Sequence, residues 1–128
     1  IFDPIKNELF FFEKNNGAFF NNYRIRVSSK NKINECLFVT GGKTNFKLDF
    51  PLRKTGCAAL DMAYVSSGRY DGFFQNNLNI WDIAAGIILI KEAGGVINDI
   101  NINNTENLKV IASSSDISDK FKEKIGNF

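Results

Sequence analysis

Asp82 stands in the run Ile80-Trp81-Asp82-Ile83-Ala84-Ala85-Gly86, directly before an apolar stretch that Gly94 and Gly95 close. A carboxylate at the mouth of a buried helix can accept the free backbone N–H groups as an N-cap, or be shared with a hard divalent cation. The pattern places Asp82 at the N-cap, and capping alone suffices to explain it. A second block of similar design lies upstream, from Arg53 through Gly56-Cys57-Ala58-Ala59 to Val65, closed by Ser66-Ser67-Gly68. Its small residues would let a ligand approach the first turn of a helix, where unpaired N–H groups favour anions. Cys57 as a nucleophile would need an activating base, and the chain contains no histidine.

The elements that must position these residues are readable in outline. Strands over 7–13 and 23–27 flank the turn Asn15-Asn16-Gly17, with Ala18-Phe19-Phe20 packing that turn back onto the sheet. The continuous run Leu9-Phe10-Phe11-Phe12 predicts burial on both faces, whereas Arg24 to Val27 alternates with period two. Leu37 to Thr40 reads as a third strand of the same meander, and the polar segment from Gly41 to Leu52 as loop. Helices over 56–67, 83–93 and 117–125 then alternate with strands over 70–74, 96–100 and 108–112. That order predicts an α/β fold, a layered mixed sheet with helices on its faces.

The last helix carries Ile117, Phe121 and Ile125 on one stripe, a core face, with Asp116 as its cap and Asp119 in its first turn. Asp61, Asp71 and Glu92 read as solvated faces or local salt bridges, Arg53 and Arg69 as structural, and Trp81 as a packing wedge. The Asn-rich loop from Asn101 to Asn107 reads as compositional drift rather than chemistry.

Composition narrows the function classes. The 128 residues, 44% hydrophobic and 23% charged, suffice for one domain with a core. A net charge of +2, from 16 basic and 14 acidic residues in mixed order, gives neither a nucleic-acid footprint nor an acidic tail. Cys36 and Cys57 are far apart and suit reduced thiols better than a disulfide or a zinc site. Any metal should therefore be hard and oxygen-bound. The longest apolar run, Ile83 to Ile90, is too short to cross a membrane, so a soluble cytoplasmic protein is expected. The chain opens at Ile1 on strand-like sequence, which suggests a trimmed chain, a split gene product or a partial sequence.

Taken in order, Gly56 to Ala59, the stretch Gly68-Arg69-Tyr70-Asp71-Gly72-Phe73-Phe74 and Trp81-Asp82 through Gly95 resemble the inositol monophosphatase family, magnesium-dependent and lithium-sensitive sugar phosphatases. The resemblance extends to Asp3 through Phe10, to Gly17 through Asn22 and to Val110 through Ser114. It implies the C-terminal half of that family's αβαβα sandwich, a single domain over residues 1–128. Residues 1–40 would continue a missing N-terminal sheet, and 53–128 would form the half that meets substrate and a second metal. The family's Asp-Pro-x-Asp-Gly-Thr metal loop and its Glu-Glu pair occur nowhere in the sequence, since Asp3-Pro4 is followed by Ile-Lys-Asn.

The resemblance also implies site roles. Asp82 would ligate Mg2+ and lie beside a substrate hydroxyl. Ala58 would bring its backbone to the sugar hydroxyls, with Gly56 and Cys57 permitting the approach, and Cys57 stands where Ser or Thr is common. Gln75 stands where a glutamate commonly accepts from ring hydroxyls, so substrate choice is expected to be retuned. The segment from Gly41 to Leu52 departs from the family, and no site residue is carried over from it. No catalytic residue falls in this half.

Two function classes follow. One is a magnesium-dependent phosphomonoesterase for inositol monophosphate or another small phosphorylated sugar or polyol, inactive without its other half. The other is a non-catalytic remnant or partner subunit. Neither nucleic acid nor membrane is expected as a partner, while a homodimer, or a complement with the N-terminal half, is.

Overall fold

The structure is a computed structural model that describes residues 1–44 and 49–128. The chain opens with β1 (Phe2–Asp3), β2 (Glu8–Glu13), β3 (Gly17–Phe20) and β4 (Tyr23–Ile25), an antiparallel meander in sequence order. The connection between β2 and β3 needs left-handed backbone, supplied by Asn15 at φ 62° and Gly17 at φ 105°. Asn21 and Asn22, at φ 42° and 73°, form the two-residue turn into β4, a geometry whose twist matches that of paired strands. Ala18 to Phe20 is thus a strand in its own right rather than padding beneath a turn.

Alternation also governs β2, contrary to the double burial expected of its apolar run. Phe10 is fully buried, while Leu9 is exposed and Phe11 half-buried, its ring stacked on Phe19 at 5.1 Å. Cross-strand aromatic pairing stabilises such an outward run without a covering layer.

A single 3₁₀ turn, Ile33–Glu35, leads into the second sheet. That sheet contains β5 (Phe38–Val39), β6 (Leu52–Arg53), β7 (Gly72–Leu78), β8 (Val96–Ile97) and β9 (Leu108–Ser113), in the order β6-β5-β7-β9-β8. β5 pairs in parallel with β6 and β7, and β9 runs antiparallel to β7 and β8, so the sheet is mixed. The strand at Leu37–Thr40 therefore belongs here and not to the meander. The expected loop from Gly41 to Leu52 ends in β6 and contributes the buried Phe50; its residues 45–48 lie outside the described residues.

Helices α1 (Ala58–Ser66) and α2 (Ile80–Glu92) lie between the sheets. Met62, Val65, Ile83 and Ile90 pack toward the second sheet with Val39, Phe73, Val110 and Ala112, while Ala63, Tyr64, Leu89 and Ala93 pack toward the meander with Phe10 and Ala18. Burial on two faces explains the unbroken buried run from Asp61 to Ser66, where a one-faced helix would alternate. The two helices cross closely at Gly86, where an added Cβ would lie 2.8 Å from both Cβ and Sδ of Met62. Helix α3 (Ser115–Ile125) covers the other face of the second sheet, its Ile117, Phe121 and Ile125 packing on Phe38, Phe50 and Phe74. The layers therefore run sheet, helix pair, sheet, helix.

Both expected caps move by a few residues. Ser114, not Asp116, is the N-cap of α3, and Asp116 falls in its first turn. Asn79 is the N-cap of α2 and Asp82 its third residue, because Asn79 has the extended backbone a cap requires.

Several charged residues tie the layers together. Arg69 donates to both carboxylate oxygens of Glu8 at 2.8 and 2.9 Å, with its guanidinium 4.9 Å from the ring centres of Phe20 and Tyr64. Glu92 accepts from the backbone N–H groups of Asn15 and Gly17 at 3.0 and 3.2 Å, fastening the end of α2 to the hairpin. Asp71 is buried, accepting from Leu37 N–H at 2.7 Å and Lys30 Nζ at 2.9 Å. The structural reading of Arg69 thus holds and Asp71 is in a salt bridge, though buried, whereas Glu92, half-buried, is bonded to backbone rather than ion-paired among the described residues. Asp61 departs from the expectation: it is neither solvated nor in a salt bridge.

Candidate functional site

The N-termini of α1 and α2 and the second half of β7 enclose a cavity of about 330 Å³, lined by Gly56, Cys57, Ala58, Ala59, Gln75, Leu78, Trp81 and Asp82. All five residues singled out from the sequence, Gly56, Cys57, Ala58, Gln75 and Asp82, meet there although they span 27 positions of the chain. The cavity sits where β7 passes into α2, and a register shift between Gln75 and Leu78, with Asn77 at φ 54°, re-aims the strand beside it.

The two helix entrances differ. In α2, Ile80 N–H donates to Thr105 C=O at 2.9 Å and Asp82 N–H to Asn79 C=O at 3.0 Å, so the protein itself satisfies much of that end. Thr105 gives the Asn-rich loop a structural role that composition did not reveal. In α1 the first intrahelical bond runs from Asp61 N–H to Cys57 C=O, leaving the amides of Ala58, Ala59 and Leu60 without intrahelical acceptors. Cys57 is the N-cap and makes no side-chain capping bond. The α1 entrance therefore offers unpaired donors and the positive end of a helix dipole to the cavity.

Asp82 is half-buried and completes a capping box, its Oδ2 accepting from Asn79 N–H at 3.3 Å. That bond orients the carboxylate while engaging one of its two oxygens. Trp81, expected to be a core wedge, is instead 65% exposed and forms part of the cavity wall. Its place in the first turn of α2 turns it away from both packed faces of the helix.

Gln75 is half-buried on β7, and its Oε1 accepts from Gly41 N–H at 3.0 Å. An N–H can only donate, so this bond fixes which end of the amide is the oxygen and engages one of its two lone pairs. What Gln75 retains for a ligand is its NH2 group, a donor, and the second lone pair of Oε1. The approach is close, since a Cβ at 41 would stand 2.7 Å from Oε1 and push the end of the Gln75 side chain aside. Gly41 was passed over in the sequence; the Gly41-Gly42 pair at a strand end was the available signal.

Asp61 was missed as well, and no spacing pattern marks it. It is fully buried, bonded through Oδ1 to the Thr55 hydroxyl, and its Oδ2 has no partner. Burial pushes its carboxyl up to about 6, opposed only by the Thr55 bond. Of the two cysteines, Cys57 is exposed at the cavity and Cys36 is buried, its thiol pushed up to about 11 chiefly by burial; neither forms a disulfide.

The donor set does not make a metal centre by itself. Among the described residues no three His, Cys, Asp or Glu side chains converge, and Asp82 is the one carboxylate lining the cavity. No helix among them is long and apolar enough to cross a membrane.

A mixed α/β sandwich with two helix entrances and one acid at a shared cavity is an arrangement compatible with many chemistries rather than a single one. Residues 1–126 match the model of the inositol monophosphatase family, and the chain belongs to that family. It is similar to Nus factor SuhB of Escherichia coli, 41% identical over 116 residues covering 77% of this chain and 43% of the relative. It is also similar to inositol-1-monophosphatase of Caulobacter vibrioides, 33% identical over 143 residues covering 97% of this chain and 56% of that protein. Among solved structures, the extragenic suppressor protein suhB of Bartonella henselae superposes with a TM-score of 0.84 at 35% identity, covering 98% of this chain and 56% of that one. The chain thus spans about half the length of the relatives it matches, and these neighbours share its fold.

Proposed function

We propose that this chain is the substrate-side part of a magnesium-dependent phosphomonoesterase that hydrolyses inositol monophosphate or a similar small phosphorylated polyol. The observation that carries the reading is the convergence of Asp82, Gln75 and the open α1 entrance on one cavity, in a chain of the inositol monophosphatase family. The α1 amides would hold polyol oxygens, Gln75 would donate to an acceptor on the ring, and Asp82 would accept from a hydroxyl and contribute one oxygen ligand to Mg2+. A magnesium ion commonly takes one or two carboxylates, with waters and substrate phosphate completing its shell. When bound, the metal supplies charge neutralisation and an activated water. One carboxylate is too few for the two-ion arrangement, so the remaining ligands would come from the portion of a family member that this chain does not span.

The test compares two proteins. Purified alone, the 128-residue chain should release no magnesium-stimulated phosphate from inositol 1-phosphate above a protein-free control. Joined to the portion of the Escherichia coli relative that it does not span, it should gain magnesium-dependent release. Robust turnover by the chain alone would sink the claim that further ligands are needed. No gain on joining would favour the second reading, a non-catalytic partner module, which is supported by the single cavity carboxylate and by a 41%-identical relative that bears the name Nus factor.

Gln75→Glu separates substrate preferences within the same protein. A carboxylate can still accept from Gly41 N–H but replaces the free donor with an acceptor. A mispaired polar contact costs about 1–3 kcal/mol, so KM for inositol 1-phosphate should rise roughly tenfold or more, with kcat changed less. An unchanged KM would remove Gln75 from the site.

A further inference from the structure

Asp61 lies outside the cavity lining, yet it is the buried acid that its surroundings account for least. Its side chain is fully buried, one oxygen is unpartnered, and the other holds the hydroxyl of Thr55, six residues earlier and exposed at the surface. A packed helix interior would be better served by an apolar side chain unless the carboxylate performs a task.

The turn between these residues shows what that task is. Gly56 sits at φ +89° with no atom within 4 Å of where a Cβ would be, so packing does not hold it. Cys57 provides no side-chain capping bond, so the usual device that pins a helix entrance is missing. The bond from Thr55 to Asp61 is the side-chain tie that remains across the turn among the described residues. We infer that Asp61 is the positioning residue of the cavity rim: through Thr55 it fixes the Gly56–Cys57 turn, and so sets where the open amides of Ala58 to Leu60 stand.

The inference rests on the reading of the cavity as a polyol site for its consequence, though not for its geometry. The Thr55 hydroxyl is the polar group facing Asp61; no charged side chain on α1, α2 or the second sheet contributes to its titration. Because burial raises the folded-state value above the ordinary 3.8, the sign is fixed. The contribution of this group to stability is fully present below pH 3.8 and is lost as pH rises through about 6. Ionised Asp61 is therefore kept at a cost, and what it gains is the Thr55 hydroxyl as an obligate donor.

The experiment uses the 15N-labelled 128-residue chain and reads amide exchange and chemical shift residue by residue. Thr55→Val is conservative in size at an exposed position. It should speed exchange of the amides from Gly56 to Leu60 about tenfold, leave β7 and α3 unchanged, and be reversed by Thr55→Ser. Asp61→Asn keeps an acceptor for Thr55, so the rim should stay in place while the wild-type shift of the Gly56–Ala59 amides, centred near pH 6, disappears. No change at the rim in Thr55→Val, equal acceleration throughout the chain, or a titration that persists in Asp61→Asn would overturn the inference. Titration with myo-inositol decides the other matter separately. An ordered rim that never responds to millimolar myo-inositol would leave Asp61 in its positioning role and remove the polyol reading of the cavity.

Discussion

Replacing Asp82 by asparagine in the joined protein should lower magnesium-dependent phosphate release by about 100-fold or more, the scale expected when a group that stabilises developing charge is neutralised. The folded state should hardly notice. Asparagine can still accept from Asn79 N–H, so the capping box survives. The loss is confined to a negative charge in the first turn of α2, worth about 0.3–1 kcal/mol at a half-exposed site. A structural cap and a metal ligand thus predict different pairs of numbers for one substitution. Steady-state kinetics across a magnesium series, read beside urea unfolding, distinguishes them. Activity within threefold of wild type would leave Asp82 as a helix cap and nothing more.

Phe121→Ala should cost about 3–5 kcal/mol, as large aromatic deletions from closed cores do. Phe121 is fully buried on α3 and stacks on Phe38 at 4.3 Å, with Phe74 and Phe50 edge-on at 6.0 and 6.3 Å. Among the described residues no other joins α3 to so many rings. Domains of this size are stable by about 5–15 kcal/mol, so the loss would be a large share of the whole. Urea unfolding should show a lowered midpoint at unchanged slope, which indicates lost stability without altered compactness. A cost below about 1.5 kcal/mol would mean that α3 is held by something other than this cluster.

The parts of the fold that were legible are those where one physical signal acts alone. The stripe Ile117, Phe121, Ile125 declared α3 because only one of its faces is covered, and the small-residue entrance from Gly56 to Ala59 declared one wall of the cavity because glycine and alanine exclude bulk there. Legibility failed where two signals compete. Asp82 satisfies the pattern of a cap, but Asn79 does so too, and only the backbone angles at 79 decide between them. Leu37 to Thr40 reads as a strand in either sheet, since partner choice is non-local and two residues of pairing carry no register information. Asp61 was unreadable in principle: burial of an acid is a property of three packed elements, and its only mark in the chain is a threonine six positions earlier.

The close crossing at Gly86 has a bearing on how this cavity could change over time. Because the backbone of α2 rests directly against Met62 of α1, the separation of the two helices is fixed at that crossing, at a residue outside the cavity lining. Cys57, whose side chain makes no capping bond, can then be exchanged without touching that contact. Change at the opening is thereby separated from the close helix contact, which rests on a glycine outside the cavity lining.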